Sequence, residues 1–334
     1  PISYHAGNRQ YDGPHSTPCF DASCLIKISI DAHLDAIDLE TGNVRWSRDL
    51  RKDFGTQLPQ SGYAASPLIH DGVVIVPTLG IAQPTETEFF DNAEVSKRTR
   101  GRSATPGAVA LNLESGRMEW RTESFRSSHA SPNIATIDGQ TTVLFHGMFE
   151  LIGVNPSDGS ILWRHLLRPV AADNVAFMPL WDRHNHRVLI SHGYCDRGTQ
   201  AITVGRQDGR WKTDLSWSNR DLRLVHSNAV VAGTTLVGVN DVGGTVSVGL
   251  NIRDGRTIFK KRSSPRNFLC GQESDVLSLG HSGKMSNQTV SQDGLQNRWT
   301  FQALNSTSWT VPSLVGDRLL LRDNAALRVY QQVD

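Results

Sequence analysis

The sequence predicts an all-β protein, a β-propeller of four-stranded antiparallel blades. Three observations carry this reading. A short hairpin with a fixed turn recurs along the chain, its glycines fall at a near-regular step, and a small-residue-plus-Pro strand start precedes the copies. The reference copy runs from Ala36 to Trp46 and reads Ala-Ile-Asp-Leu-Glu-Thr-Gly-Asn-Val-Arg-Trp. Two apolar strands flank a tight turn in which Asp38 and Thr41 can hydrogen-bond the backbone and Gly42 tolerates a positive φ. A lone hairpin cannot bury Trp46, so the ring needs a neighbouring unit to cover it.

The hairpin does recur. Ala110 to Trp120 carries the turn at Gly116, Gly153 to Trp163 carries it at Gly159, and Gly249 to Phe259 carries it at Gly255 with Phe in the Trp slot. A worn copy ends in Asp293, Gly294 and Trp299, and the most degraded one has Asp208-Gly209 with Trp217 further on. The turn glycines 42, 116, 159, 209, 255 and 294 are separated by steps of about 74, 43, 50, 46 and 39 residues. That period suits four-stranded blades with one long insertion. The repeat aromatics Trp46, Trp120, Trp163, Phe259 and Trp299 are read as structural, each docking on the next blade and burying roughly 150–250 Å².

The second signal is Ser16-Thr17-Pro18, Ala65-Ser66-Pro67, Ala130-Ser131-Pro132, Phe177-Met178-Pro179 and Thr310-Val311-Pro312. His226-Ser227-Asn228 and Glu273-Ser274-Asp275 hold the same place without Pro. Apolar or alternating strands follow, such as Val73-Val74-Ile75-Val76. One unit is then strand a at the Ser-Pro signal, strand b, strand c into the turn, and strand d ending on the aromatic. The blades fall at about 15–50, 63–122, 129–166, 174–219, 226–262 and 272–303, and a last one with three strands starts at Trp309. Residues 1–5 are the expected fourth strand of that last blade, because an open sheet edge is a liability. Seven blades are visible in a single domain over 1–334, eight if an upstream blade exists.

The Ala-x-Asp-x-x-Thr-Gly-x-x-x-Trp repeat resembles that of the quinoprotein-like (PQQ-like) β-propellers. These include quinoprotein alcohol dehydrogenases and the outer-membrane assembly factor BamB. The segments "SPLIHDGVVIVPT", "HASPNIATIDGQTTVLF" and "LVGDRLLLRDNAALRVY" are most similar to BamB-like proteins. The resemblance covers nearly the whole chain and implies fold more than function, since propellers host many unrelated tasks.

Bulk properties narrow the classes. The chain has 334 residues, 38% of them hydrophobic, and a formal net charge of +1. A balance so near neutral argues against a dedicated nucleic-acid or membrane-surface protein. No apolar run is long enough to span a bilayer. No signal peptide is visible, and the opening stretch reads as a blade-to-blade connection. Cys19, Cys24, Cys195 and Cys270 are scattered like packed thiols rather than a disulfide framework, although Cys19 and Cys24 share the first strand pair and could meet.

The second blade carries the large departure, an insertion at 77–107 between strands b and c. It holds Glu86, Glu88, Asp91 and Glu94, then Lys97, Arg98, Arg100 and Arg102. It reads either as a solvated flap or as a lid or docking arm. In an up-and-down blade the b–c turns and the d-to-a crossings share one end, opposite the Asp/Thr/Gly turns. Residues entering strand a, namely Tyr63, His129, His226, Glu273 and Trp309, are therefore expected around a funnel at that end. The b–c turns add His146, His192, Asp241 and His281. Such a set could bind a small polar ligand or a protein partner, or it could simply cap strand ends with water.

Catalytic and metal motifs are sparse. There is no Gly-x-Ser-x-Gly, no P-loop, no Gly-x-Gly-x-x-Gly and no His-x-x-x-His or Cys-x-x-Cys pair. Among quinoprotein dehydrogenases the quinone lies between a Trp and a disulfide of adjacent cysteines, with Ca²⁺ beside it. No adjacent Cys pair exists here, so pyrroloquinoline quinone with Ca²⁺ is not expected, and no catalytic or metal-binding residue is assigned. The expected function is a non-catalytic binding or scaffold module acting as a monomer. The resemblance to BamB-like propellers implies an exported, periplasmic protein. The alternative is a quinone-dependent alcohol or sugar dehydrogenase.

Overall fold

The computed structural model describes residues 15–56, 58, 62–78, 105–167, 175–193, 197–240, 245–262, 268–272, 274–308 and 310–331, with backbone alone for 268–272. The expected strand at 1–5 and most of the 77–107 insertion lie outside the described residues. Strands follow one another in seven sheets, six of four strands and one of three, each paired in chain order. These are the blades of a β-propeller.

The first blade holds β1 (Cys19–Phe20), β2 (Cys24–Ile28), β3 (His33–Asp38) and β4 (Val44–Asp49), and the second β5 (Leu68–His70), β6 (Val73–Pro77), β7 (Ala108–Asn112) and β8 (Met118–Arg121). The third holds β9 (Asn133–Ile137), β10 (Gln140–His146), β11 (Glu150–Val154) and β12 (Ile161–Leu166). The fourth holds β13 (Leu180–Asp182), β14 (Arg187–Ser191), β15 (Thr199–Gln207) and β16 (Arg210–Asn219). The fifth holds β17 (Ala229–Ala232), β18 (Thr235–Val239), β19 (Val246–Asn251) and β20 (Thr257–Arg262). The sixth holds β21 (Phe268–Gln272), β22 (Asp275–Leu279), β23 (Lys284–Ser291) and β24 (Gly294–Gln302). The last holds β25 (Ser313–Val315), β26 (Arg318–Arg322) and β27 (Leu327–Gln331). The chain packs as two compact units, Pro1–Ile190 with Ile202–Asp214, and Ser191–Ala201 with Leu215–Asp334.

The Pro of the strand-start signal sits one residue before strand a in five blades, at Pro18, Pro67, Pro132, Pro179 and Pro312. The signal serine links neighbours: Thr17 N donates to Ser66 Oγ at 2.8 Å, and Ser66 N donates to Ser131 Oγ at 2.9 Å. In the sixth blade the entry differs from expectation. Strand a is β21, and Asp275 begins strand b. The apolar run Phe268-Leu269-Cys270, not the Glu-Ser-Asp triplet, forms the first strand.

The motif's chemistry is visible in the turns. Asp38 Oδ1 accepts from the amides of Glu40 and Thr41 and from the Thr41 hydroxyl, and Asn112 repeats this with Glu114 and Ser115. Gly42, Gly116, Gly159 and Gly255 all have φ between 67° and 74°. A bulge follows the small residue opposite the ring, between Ala36 and Ile37, Ala110 and Leu111, Gly153 and Val154, and Gly249 and Leu250. Only a small residue fits there: Ala in the first two blades, and Gly at 153 and 249, where even a Cβ would lie 2.2 Å from the Trp163 or Phe259 ring. The ring then covers the next turn: a Cβ on Gly116, Gly159 or Gly255 would fall 2.5–2.6 Å from Trp46, Trp120 or Trp217. Each indole also donates to that next turn, Trp46 to Leu113 O at 2.9 Å, Trp120 to Pro156 O at 2.7 Å and Trp217 to Ile252 O at 3.2 Å.

Two copies depart from this scheme. In the fourth blade the hairpin is prolonged into β15 and β16, and Asp208 and Gly209, with φ of 51° and 75°, close it beyond reach of Trp163. Among the described residues nothing lies within 4 Å of a Cβ on Gly209, and the buried Trp163 Nε1 has no hydrogen-bond partner. In the sixth blade Asn287 stands opposite Trp299, where the first, second, third and fifth blades have Ala or Gly opposite the ring. Trp299 is accordingly 41% exposed and leans on Phe301 at 5.7 Å rather than lying under a glycine turn.

The sequence did not foretell the short helix α1 (Leu50–Phe54) after β4. Asp49 caps it by accepting from Arg51 N and Lys52 N, and Gly55 ends it at φ 73°. Cys19 and Cys24 are free thiols. Burial pushes the Cys19 thiol up to about 12.

Candidate functional site

The strand-a entries are tied to the ends of strand b by a repeated bond. Ser16 Oγ donates to Ile28 O at 2.8 Å, Tyr63 Oη to Pro77 O at 2.6 Å, Ser128 Oγ to His146 O, and Ser308 Oγ to Arg322 O at 2.7 Å. Each satisfies a carbonyl at the close of a strand, where the ladder no longer supplies a donor. Tyr63 is fully buried, burial pushes its phenol upward, and its hydroxyl is committed to backbone, which makes it a tie within the second blade.

In the first unit the crossing into the third blade is laced to the turn between β10 and β11. Met148 N donates to Arg126 O at 3.0 Å, and Gly147 N to Glu150 O at 2.9 Å. A Cβ at Gly147 would lie 2.7 Å from Arg126 O, so the approach requires glycine. His129 and His146 are buried in this lacing, and His146 Nδ1 is 3.0 Å from Phe177 O. The Arg126 guanidinium lies 5.5 Å from the Phe149 ring centre. Beside it Arg164 engages Glu150 through both carboxylate oxygens at 2.9 Å and reaches Glu123 at 3.1 Å. The Glu150 side chain is 3% exposed and that of Glu123 74%, so the network runs from the interior to the rim.

In the second unit the crossing 219–226 is held in the same manner. Ser191 Oγ and Thr199 Oγ1 are 2.9 Å apart, Thr199 Oγ1 donates to Leu222 O, and Leu224 N donates to Ser191 Oγ. Asn240 accepts from Arg223 N and donates to Asp221 O, both at 2.7 Å. The Lys260 ammonium and the Thr257 hydroxyl hold the Asp221 carboxyl below its ordinary value. His192 is buried, which lowers its imidazole to about 4. His226 is exposed and His281 half-buried in the turn before β23. Asp241, Glu273 and Trp309 lie outside the described residues.

Sequence reasoning therefore placed the histidines at strand ends but missed the ties. Glu123, Arg126, Glu150, Arg164, Ser191, Thr199 and Asn240 carry the polar structure. The available signal was charge inside apolar strands, as in Glu150 opening the run Leu151-Ile152-Gly153-Val154. Among the described residues no three His, Cys, Asp or Glu side chains converge as metal ligands, and no helix is long and apolar enough to cross a membrane. In each unit these ends hold a set of hydrogen-bonding groups fixed by backbone ties.

Blades whose Trp rings sit on the next blade's turn glycine define a quinoprotein-like repeat propeller. The chain belongs to the family described as outer membrane protein assembly factor BamB, whose model matches residues 9–261. Among solved structures it is similar to BamB from Moraxella catarrhalis, with a TM-score of 0.62 and 15% identity over 95% of this chain and 85% of that one. It is also similar to the computationally designed protein Ika8, with a TM-score of 0.47 and 11% identity over 96% and 98% of the two chains. No curated protein matches the sequence.

Proposed function

We propose that the protein is a non-catalytic, monomeric binding module of the exported compartment, where it docks a protein partner of the outer-membrane assembly process at the b–c ends of its blades. The observation that carries this is the division of labour between the blade ends. The Asp/Thr/Gly turns spend their Asp and Asn side chains on their own backbone and a backbone carbonyl on the preceding Trp. The b–c ends instead keep a rim, with Glu123 and His226 exposed above a fixed hydrogen-bonded base. Rigid platforms with exposed polar rims suit protein recognition. The family's description as an assembly factor supports the choice of partner and compartment.

The same reading holds that the protein does without pyrroloquinoline quinone and Ca²⁺. The sequence offers no adjacent cysteine pair for the quinone, and Cys19 and Cys24, on the first two strands of the first blade, are free thiols. Two assays test the proposal together. Immobilised protein should retain a component of a solubilised outer-membrane assembly extract. Titration with quinone and Ca²⁺ should give neither saturable micromolar binding nor dye-coupled oxidation of alcohols. Quinone binding with turnover would replace the scaffold reading by the dehydrogenase one.

A further inference from the structure

We propose that the groove between the fifth and sixth blades binds a phosphorylated sugar. The bulge fixes equivalent positions from blade to blade. On strand c, the side facing the preceding blade carries Val109 and Leu111 in the second blade and Ile152 and Val154 in the third, all fully buried. The sixth blade has Ser286 and Gln288 at these places. The partner of Ser286 on strand b is Ser278, where the second and third blades have Val76 and Phe145. An apolar seam has thus become a polar one, which forfeits the burial of large apolar side chains.

The polar seam is organised. Ser278 Oγ donates to Gln288 Oε1 at 3.0 Å, Gln288 Nε2 donates to Asn297 Oδ1 at 2.8 Å, and the Ser286 and Thr300 hydroxyls are 2.9 Å apart. The two blades touch through Phe259, Val290 and Leu295 near the turn. Beside this contact lies a groove of about 390 Å³, within the size range of small-ligand sites. Its walls bring Lys261 and Arg262 from the end of β20 and Lys284 from the start of β23, against the single carboxylate of Asp293 among the lining residues. None of the three cations makes an ion pair among the described residues, whereas nearby Lys260 and Arg298 are paired with Asp221 and Asp275.

Unspent cations over a fixed floor of hydroxyls and amides, with Leu295 the one large apolar side chain in the lining, match a ligand that is anionic at one end and hydroxylated at the other. Charge-assisted bonds to the phosphate supply affinity, and the Ser, Thr, Asn and Gln groups read the sugar hydroxyls. Calorimetry on the full chain with glucose 6-phosphate, inorganic phosphate and glucose as separate probes tests this. Glucose 6-phosphate should bind saturably and at least about tenfold more tightly than either of the others. The double variant Lys261→Gln/Lys284→Gln should lose at least about tenfold in affinity with an unchanged melting temperature. A second double variant, Ser286→Val/Gln288→Leu, restores the apolar seam and should melt higher while no longer binding. The proposal is overturned if glucose 6-phosphate does not saturate at millimolar concentration, if inorganic phosphate binds as tightly, or if either double variant binds like the parent.

Discussion

Trp46 of the first blade rests on Gly116 of the second, with its indole nitrogen 2.9 Å from the Leu113 carbonyl and room for no Cβ beneath the ring. Gly116→Ala meets two penalties, a positive φ and the indole. Gly209→Ala meets only the first, since its φ is 75° and its surroundings are open. Urea melts should show a loss of about 1–2 kcal/mol for Gly209→Ala and a further 1–3 kcal/mol, roughly, for Gly116→Ala. Equal losses would mean that ring docking does not dictate the glycine.

Tyr63→Phe removes one oxygen and strands the Pro77 carbonyl in the interior. The expected cost is about 1–3 kcal/mol of stability, with partner capture unaffected. Loss of capture at unchanged stability would restore Tyr63 to the ligand-facing role its sequence position suggested.

Arg164 Nη1 serves both oxygens of the buried Glu150 carboxylate, so replacing the arginine removes the cation that faces it. Arg164→Met should destabilise by about 3–5 kcal/mol, and Glu150→Leu added to it should recover much of that loss. A double variant no better than the single one would show that Glu150 is satisfied independently of Arg164.

His192 sets a pH dependence. Burial holds its imidazole at about 4 in the folded protein, against about 6.5 when unfolded. Between these values the unfolded chain binds the proton and the folded chain does not. Stability should therefore fall as pH drops from about 6.5 to about 4, by at most about 3 kcal/mol from this group, and be insensitive to it above. In denaturant melts across that window His192→Leu should have a shallower slope than the parent. An unchanged slope would assign the acid sensitivity to other groups.

The repeat was legible because its parts are local. Asp38, Gly42 and Trp46 lie within one hairpin, and the Pro before strand a marks the strand's first residue in five blades. The ties were not legible, because Ser128 and His146, or Tyr63 and Pro77, meet only after the blade has formed. Tyr63 holds the place of Ser128, four residues before the strand-start Pro, one residue off the histidine register of His129, and sequence spacing says nothing about which side of a strand end faces the core. The sixth blade misled for a related reason: without a Pro, the start of strand a was placed at Glu273 rather than before Phe268. Asn287 opposite Trp299 was a readable sign that this copy's ring would not lie flat.

The central claim is that the b–c ends are the working surface. The most direct test is site-specific photo-crosslinking to the assembly extract, with the photoreactive residue placed in turn at Glu123 and His226, and at Glu40, Glu114 and Arg253 in the Asp/Thr/Gly turns. The account predicts partner adducts from the first pair and none from the turn positions. Adducts confined to the turn positions would contradict it.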